Sequence, residues 1–214
     1  MNYRYVLFDL DGTLLDTNEL ILRSFEHALD LHVPGQYTRA DVLPHMGEPL
    51  VDQMERFVPG RSQELVATYR KFNIEQHDEL VTEFPQVQDV LGRLHKAGVK
   101  MAIVTSKMRL TARMGWDLVG IGPYFDAFVT ADDTEKHKPH PDPLLLAMQL
   151  LGADPAQTLM VGDSPYDILG GQAAGVKTAG VAWSLRGAAG LQPHNPDYMI
   201  HTMQELEATI LGTR

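Results

Sequence analysis

Cysteine is absent from the 214-residue chain, which excludes disulfides, thiolate zinc sites and a cysteine nucleophile and agrees with a reducing compartment. Positive charge is scarce: 18 Lys and Arg face 28 Asp and Glu, for a formal net charge of -10. A field of that sign repels nucleic acid and anionic membranes, so neither is an expected partner. A small anionic substrate needs local cations. No apolar run approaches the roughly 18 residues of a membrane span. The segment "MNYRYVLFDL" has no basic region followed by a cleavable apolar stretch, so a cytoplasmic location is expected. Aromatic residues are few, and Trp116 and Trp183 read as core or edge packing. No internal repeat or low-complexity tract occurs. No oligomeric state is assigned from the sequence.

What is present suits a globular core, with 44% hydrophobic and 21% charged residues. Short apolar runs at 5–10, 99–105, 127–130, 158–162 and 178–183, and a weaker one at 198–200, alternate with helical patterns at 87–97, 110–119, 143–151, 165–174 and 203–211. That alternation predicts an α/β fold, a doubly wound parallel sheet covered on both faces. From about Asp16 to Glu83 no strand is predicted, only helical periodicity broken by "VPGQ", "MGEPL" and "VPGR". This is too long for a crossover. The expected organisation is an α/β core over 1–15 and 84–214 with a helical cap domain over 16–83. Asp9, Asp11, Thr105, Ser106, Asp132, Asp133 and Asp163 then gather at the carboxyl edge of the sheet, where ligands of such folds bind. The insertion leaves from the same edge and is expected to act as a lid.

The stretch "YVLFDLDGTLLDT" places Asp9 and Asp11 one residue apart at the end of a predicted strand. Residues two apart on a strand share a side, so two carboxylates converge and need a cation or donors to offset their repulsion. A second cluster, "LMVGDSPYD", carries Asp163 and Asp167. Asp163 there has an ordinary reading as a helix cap ahead of Pro165. Three or four carboxylates on one edge go beyond capping. Oxygen ligands without nitrogen or sulfur suit a hard cation, and Mg²⁺ is favoured over Ca²⁺ because no EF-hand pattern occurs. Lys138 in "HKPHPDP" is either a solvated loop lysine or, with Thr105, a charge and a hydroxyl for a phosphoryl group.

Together these segments resemble the haloacid dehalogenase superfamily, specifically its phosphatases with a helical C1-type cap. Four motifs stand in that superfamily's order: "DLDGT" at 9–13, Thr105 after an apolar run, Lys138 before prolines, and "GDSPYD" at 162–167. The resemblance implies that Asp9 is the nucleophile of an aspartyl-phosphate and Asp11 the general acid and base. It implies Mg²⁺ on the carboxylates of Asp9 and Asp163 and on the backbone carbonyl of Asp11, with Asp167 supporting the metal site. Thr105 and Lys138 are expected to hold the phosphoryl group, Lys138 also balancing Asp9. Thr13, Ser106, Lys107 and Gly47 complete the expected substrate-binding set. Dehalogenase members lack an acid two residues after the nucleophile, so Asp11 argues for phosphate transfer. Lys71 is the sole lysine of the insertion, which disfavours the Schiff-base chemistry of phosphonate-cleaving relatives.

The stretches "TNELI", "YRKFN", "HDELVTE", "IVTSKMRLTARMG" and "KTAGVAW" look most like the PpaX-type pyrophosphatase subgroup. That likeness implies hydrolysis of inorganic pyrophosphate, with phosphoglycolate or another small phosphate monoester as the alternative substrate. Lys107, Arg109 and Arg70 are candidate donors for a second phosphate, and each has an equally ordinary reading as surface charge. Gly47 and Glu48 form either a cap loop facing the site or a plain turn. His137 and His140 with Asp142 form a possible transition-metal set, for which a solvated loop is the favoured reading.

Overall fold

In the computed structural model, which describes residues 1–46 and 48–212, the apolar runs become buried strands. In chain order these are β1 (Tyr5–Phe8), β2 (Leu15–Asp16), β3 (Thr82–Glu83), β4 (Lys100–Val104), β5 (Ala127–Val129), β6 (Thr158–Gly162), β7 (Lys177–Val181) and β8 (Tyr198–Ile200). Six of them form one parallel sheet in the order β5-β4-β1-β6-β7-β8. Val6, Leu7 and Phe8 are all fully buried although successive side chains point to opposite faces, so both faces of the central strand are covered. The doubly wound α/β expectation is met.

The α-helices are α1 (Asn18–His32), α2 (Arg39–Val42), α3 (Leu50–Phe57), α4 (Ser62–Glu75), α5 (His77–Leu80), α6 (Val87–Lys96), α7 (Arg109–Leu118), α8 (Asp142–Leu151), α9 (Pro165–Ala173), α10 (Gly187–Leu191) and α11 (Met203–Leu211). The sheet-flanking helices form because their apolar positions fall on one stripe. In α6, Val87, Val90, Leu91 and Leu94 are the buried positions, at helical spacing. Helix α8 packs on β4 and β5, and α9 on β6 and β7. Among the described residues no helix is long and apolar enough to cross a membrane.

The chain divides into two compact units, one of Met1–Asp16 with Thr82–Arg214 and the other of Thr17–Val81. The first holds the sheet. The second is helical, with α1 and α3 each packed on α4 around Phe25, Met54, Leu65 and Tyr69. Within it Asn73 donates to the buried Ser24 hydroxyl, which itself donates to the Leu20 carbonyl. Where the sequence predicts no strand, β2 and β3 form an antiparallel ribbon pairing Leu15 with Glu83 and Asp16 with Thr82. Two residues are too few for a period-2 pattern to show.

Strand register positions the candidate site. Phe8 lies opposite both Ile103 and Val161, so Asp9 follows level with Val104 and Gly162. Strand order reverses at β1, the switch point where open α/β sheets bind ligands. The strands end a little short of the predicted runs: Leu10, Thr105, Thr130 and Trp183 all lie in the loops at this edge. Leu7→Ala in this central strand should cost about 2–5 kcal/mol, read by urea unfolding, because the fully buried side chain leaves a cavity. A loss under about 1 kcal/mol would contradict this packing.

Candidate active site

Lys138 sits at the centre of the carboxylate cluster. Its Nζ donates to Asp9 Oδ1 at 2.8 Å, Asp167 Oδ1 at 2.6 Å and the Val104 carbonyl at 2.9 Å. An ammonium has three N–H groups, and all three are used. The solvated-loop reading of Lys138 is thereby excluded, since the residue is buried. Its first task in this structure is charge balance, and it acts on a further anion through its charge or by giving up one of these bonds.

Asp167 is equally occupied. Its Oδ1 takes Lys138, and its Oδ2 accepts from the backbone N–H of Ser164 at 3.0 Å and from the Ser164 hydroxyl at 2.6 Å. This is the reciprocal cap of α9, so the capping residue is Ser164 and not Asp163. The correction frees Asp163, whose carboxylate has no hydrogen-bond donor among the described residues. It lies instead against Gly12, whose φ of +77° and lack of a side chain let the loop pass over it; a Cβ there would overlap the carboxylate.

Carboxylate oxygens of Asp9, Asp163 and Asp167 lie within 4.8 Å of one another. When ionised, the three carboxylates outweigh the one ammonium among them, an excess of negative charge that a divalent cation offsets. The donor set is all oxygen, as a hard cation requires. Asp163 and the second oxygen of Asp9 are the atoms left for it, while Asp167, held by Ser164 and Lys138, supports from behind. Burial pushes the Asp9 carboxyl up to about 7, with Lys138 opposing and Asp167 and Asp11 adding to the rise. Asp163 is raised well above its usual value by burial and by Asp9 and Asp167. Burial pulls the Lys138 ammonium down, but Asp167 and Asp9 outweigh it and the pKa is raised.

Asp11 has a lysine of its own. Lys107 Nζ donates to Asp11 Oδ1 at 2.8 Å, and both side chains are largely buried. Strand β1 stops at Phe8, so Asp9 and Asp11 do not share a strand face as the spacing predicts; they turn to different cations. The Lys107 backbone N–H also donates to Thr105 Oγ1 at 3.1 Å, leaving the Thr105 hydroxyl proton free to point elsewhere. Ser106, between them, is half-buried.

Other expected residues fall differently. Thr13 is fully buried, and its carbonyl accepts from the Trp183 indole N–H at 3.1 Å. Arg109 pairs with Asp133 at 2.5 Å, and its backbone N–H donates to Asp132. Arg70 is exposed on α4 of the helical unit, where Glu48 pairs with Arg56. Gly47 lies outside the described residues. His137, His140 and Asp142 do not form a metal-ligating group; among the described residues the Asp9, Asp163 and Asp167 cluster alone does. Ser164 was not assigned from the sequence, although the S-x-x-D spacing of "SPYD" carries a capping signal, and Lys107 was expected to bind substrate, with no pairing to Asp11 assigned.

The haloacid dehalogenase-like hydrolase family model matches residues 6–181, and the chain belongs to that family. It is 50% identical over 201 residues to the pyrophosphatase PpaX of Bacillus velezensis, covering 94% of this chain and 93% of that one. It is also 50% identical over 205 residues to the PpaX of Bacillus pumilus, covering 96% and 95%. Among solved structures, a haloacid dehalogenase-like family hydrolase from Streptococcus pneumoniae superposes with a TM-score of 0.87 at 26% identity, covering 97% and 98%. The protein is therefore a hydrolase of this family.

Two outcomes follow from the buried charges. Lys138→Met should destabilise by about 3–5 kcal/mol in urea unfolding, because Asp9 and Asp167 lose their shared cation; a loss under about 1 kcal/mol would show that they do not depend on it. The pKa of Asp9 is raised from 3.8 to about 7, so its contribution to stability is full below pH 4 and is lost as pH rises through about 7. A cation bound by ionised Asp9 offsets that loss. The gain in Tm on adding Mg²⁺ should therefore be larger near pH 8 than near pH 5, measured by scanning calorimetry; equal gains would refute the raised Asp9.

Proposed function

We propose that this protein hydrolyses inorganic pyrophosphate to two phosphates, with Mg²⁺, through an aspartyl-phosphate on Asp9. The observation that carries this reading is the division of labour between two aspartates with separate lysines. Lys138 holds one oxygen of Asp9, which it gives up for attack on phosphorus while the other faces the cation, and Asp11 stands two residues on in contact with Lys107. Near-full-length identity of about half to PpaX pyrophosphatases supports the substrate.

In the proposed reaction Asp9 attacks one phosphorus and the bridging P–O bond breaks. Asp11 protonates the departing phosphate, then takes a proton from the water that attacks the aspartyl-phosphate and returns Asp9 free. Asp9 and Asp163 through carboxylates, and Asp11 through its carbonyl, would hold Mg²⁺, with Asp167 in support. When bound, Mg²⁺ supplies neutralisation of the negative charge spread over the phosphoryl oxygens. The Thr105 hydroxyl donates to a phosphoryl oxygen, and Lys138 favours the ionised form of Asp9 and aligns it. Lys107 is the cation nearest the acid and serves the second phosphate as it approaches Asp11. Ser106 lines the same loop.

In this reading the core is 1–15 with 84–214, and 16–83 is a helical cap that selects a small anionic substrate. The setting is the cytoplasm, without nucleic acid or membrane partners. The test compares kcat/KM for pyrophosphate, phosphoglycolate, sugar phosphates and nucleotides with Mg²⁺. Pyrophosphate should lead by at least about tenfold, or ~1.4 kcal/mol of transition-state stabilisation. A tenfold lead for phosphoglycolate would replace the substrate; undiminished turnover by Asp9→Asn, or in EDTA, would remove the mechanism.

A further inference from the structure

The loop that carries Asp11 is wound on one carbonyl: Leu10 O accepts from the N–H groups of Thr13, Leu14 and Leu15, at 3.4, 3.0 and 3.0 Å. Gly12 N–H donates to the Leu15 carbonyl at 2.8 Å. These bonds close the loop on itself but do not fix it to the rest of the sheet edge. Besides the Lys107 ammonium on the Asp11 carboxylate, two outside donors reach the loop's backbone carbonyls. The Trp183 indole N–H donates to the Thr13 carbonyl at 3.1 Å, and the Phe84 backbone N–H donates to the Leu14 carbonyl at 3.3 Å.

The two anchors touch. The Phe84 and Trp183 rings lie 6.4 Å apart between centroids. Phe84 directly follows β3, and Trp183 comes two residues after the end of β7. Packing alone does not set the Trp183 orientation, because the ring is only half-buried and borders a cleft of about 190 Å³ lined also by Phe84, Pro85, His201 and Met203. A ring with open space beside it is oriented by its one directional bond. That bond ends on the residue after Gly12, and Gly12 lies against Asp163 with no room for a Cβ.

We propose that Trp183 is a positioning residue for the reaction. Its N–H pins the Thr13 carbonyl, and through it the place of Gly12 over Asp163 and of Asp11 beside Lys107. The indole touches none of the reacting groups. It acts through the loop, so its loss degrades alignment during the chemical step more than ground-state binding. The kinetic part of the test rests on the phosphohydrolase reading above.

Trp183→Phe keeps a ring against Phe84 and removes the N–H. For pyrophosphate with Mg²⁺, kcat should fall about three- to tenfold with KM within about twofold, the scale of one neutral hydrogen bond. An unchanged kcat, or a loss wholly in KM, would overturn the proposal. The second arm uses the fact that the chain has two tryptophans. Trp116 packs on Phe128 of β5, so Trp116→Phe leaves Trp183 as the sole indole emitter. Its emission should change saturably as Mg²⁺ and inorganic phosphate are added, while Trp183→Phe stays silent. Calorimetry on the same samples separates the two readings. Binding without an emission change overturns the role of Trp183; absence of both binding and turnover removes the phosphohydrolase reading and this proposal with it.

Discussion

An ammonium surrounded by acceptors governs this molecule. Lys138 reaches Asp9 just after β1, Asp167 of α9 and the Val104 carbonyl at the end of β4, so one side chain ties three parts of the sheet edge together. Without it, the central strand would end in an uncompensated buried carboxylate, an arrangement that costs several kcal/mol. Because Asp167 also accepts from Ser164, the same network defines how α9 begins. Charge balance at the site and the start of a core helix are one set of contacts.

The second constraint is the separation of Asp9 from Asp11. Two carboxylates one residue apart would each raise the other's pKa if they faced one space. By ending β1 at Phe8 and turning at Gly12 the chain gives each aspartate a different lysine, although Asp11 still adds to the rise of Asp9. The turn works only because Gly12 has no side chain where the Asp163 carboxylate lies. The two aspartates, neighbours in sequence, therefore do not compete for one cation.

The sheet was legible because its strands are continuous apolar runs, most of them ending in Gly, Asp or Thr, alternating with helical patterns. The carboxylate edge was legible for the same reason: register brings strand ends together whatever the side chains do afterwards. Partner choice was not. Asp163 and Ser164 are adjacent and both cap helices well, and only the folded position of Asp167 decides between them. Lys107 reads equally as a donor to phosphate and as surface charge, and its contact with Asp11 shows only once the loops after β1 and β4 stand side by side. Thr13 sits in a motif yet is fully buried, since the turn at Gly12 directs it inward. The β2–β3 ribbon is shorter than any period a sequence can display.

That ribbon has a consequence for how such chains diversify. The helical unit begins at Thr17 and ends at Val81, and the residues just outside it, Asp16 and Thr82, are paired across an antiparallel ladder. The excursion therefore leaves and rejoins the sheet-bearing unit at adjacent points, so its length and sequence place little demand on the sheet's register. Transplanting a foreign helical segment between those two residues amounts to exchanging one long loop. Recombination at this junction can replace the whole helical unit while the aspartates and lysines of the sheet edge stay where they are.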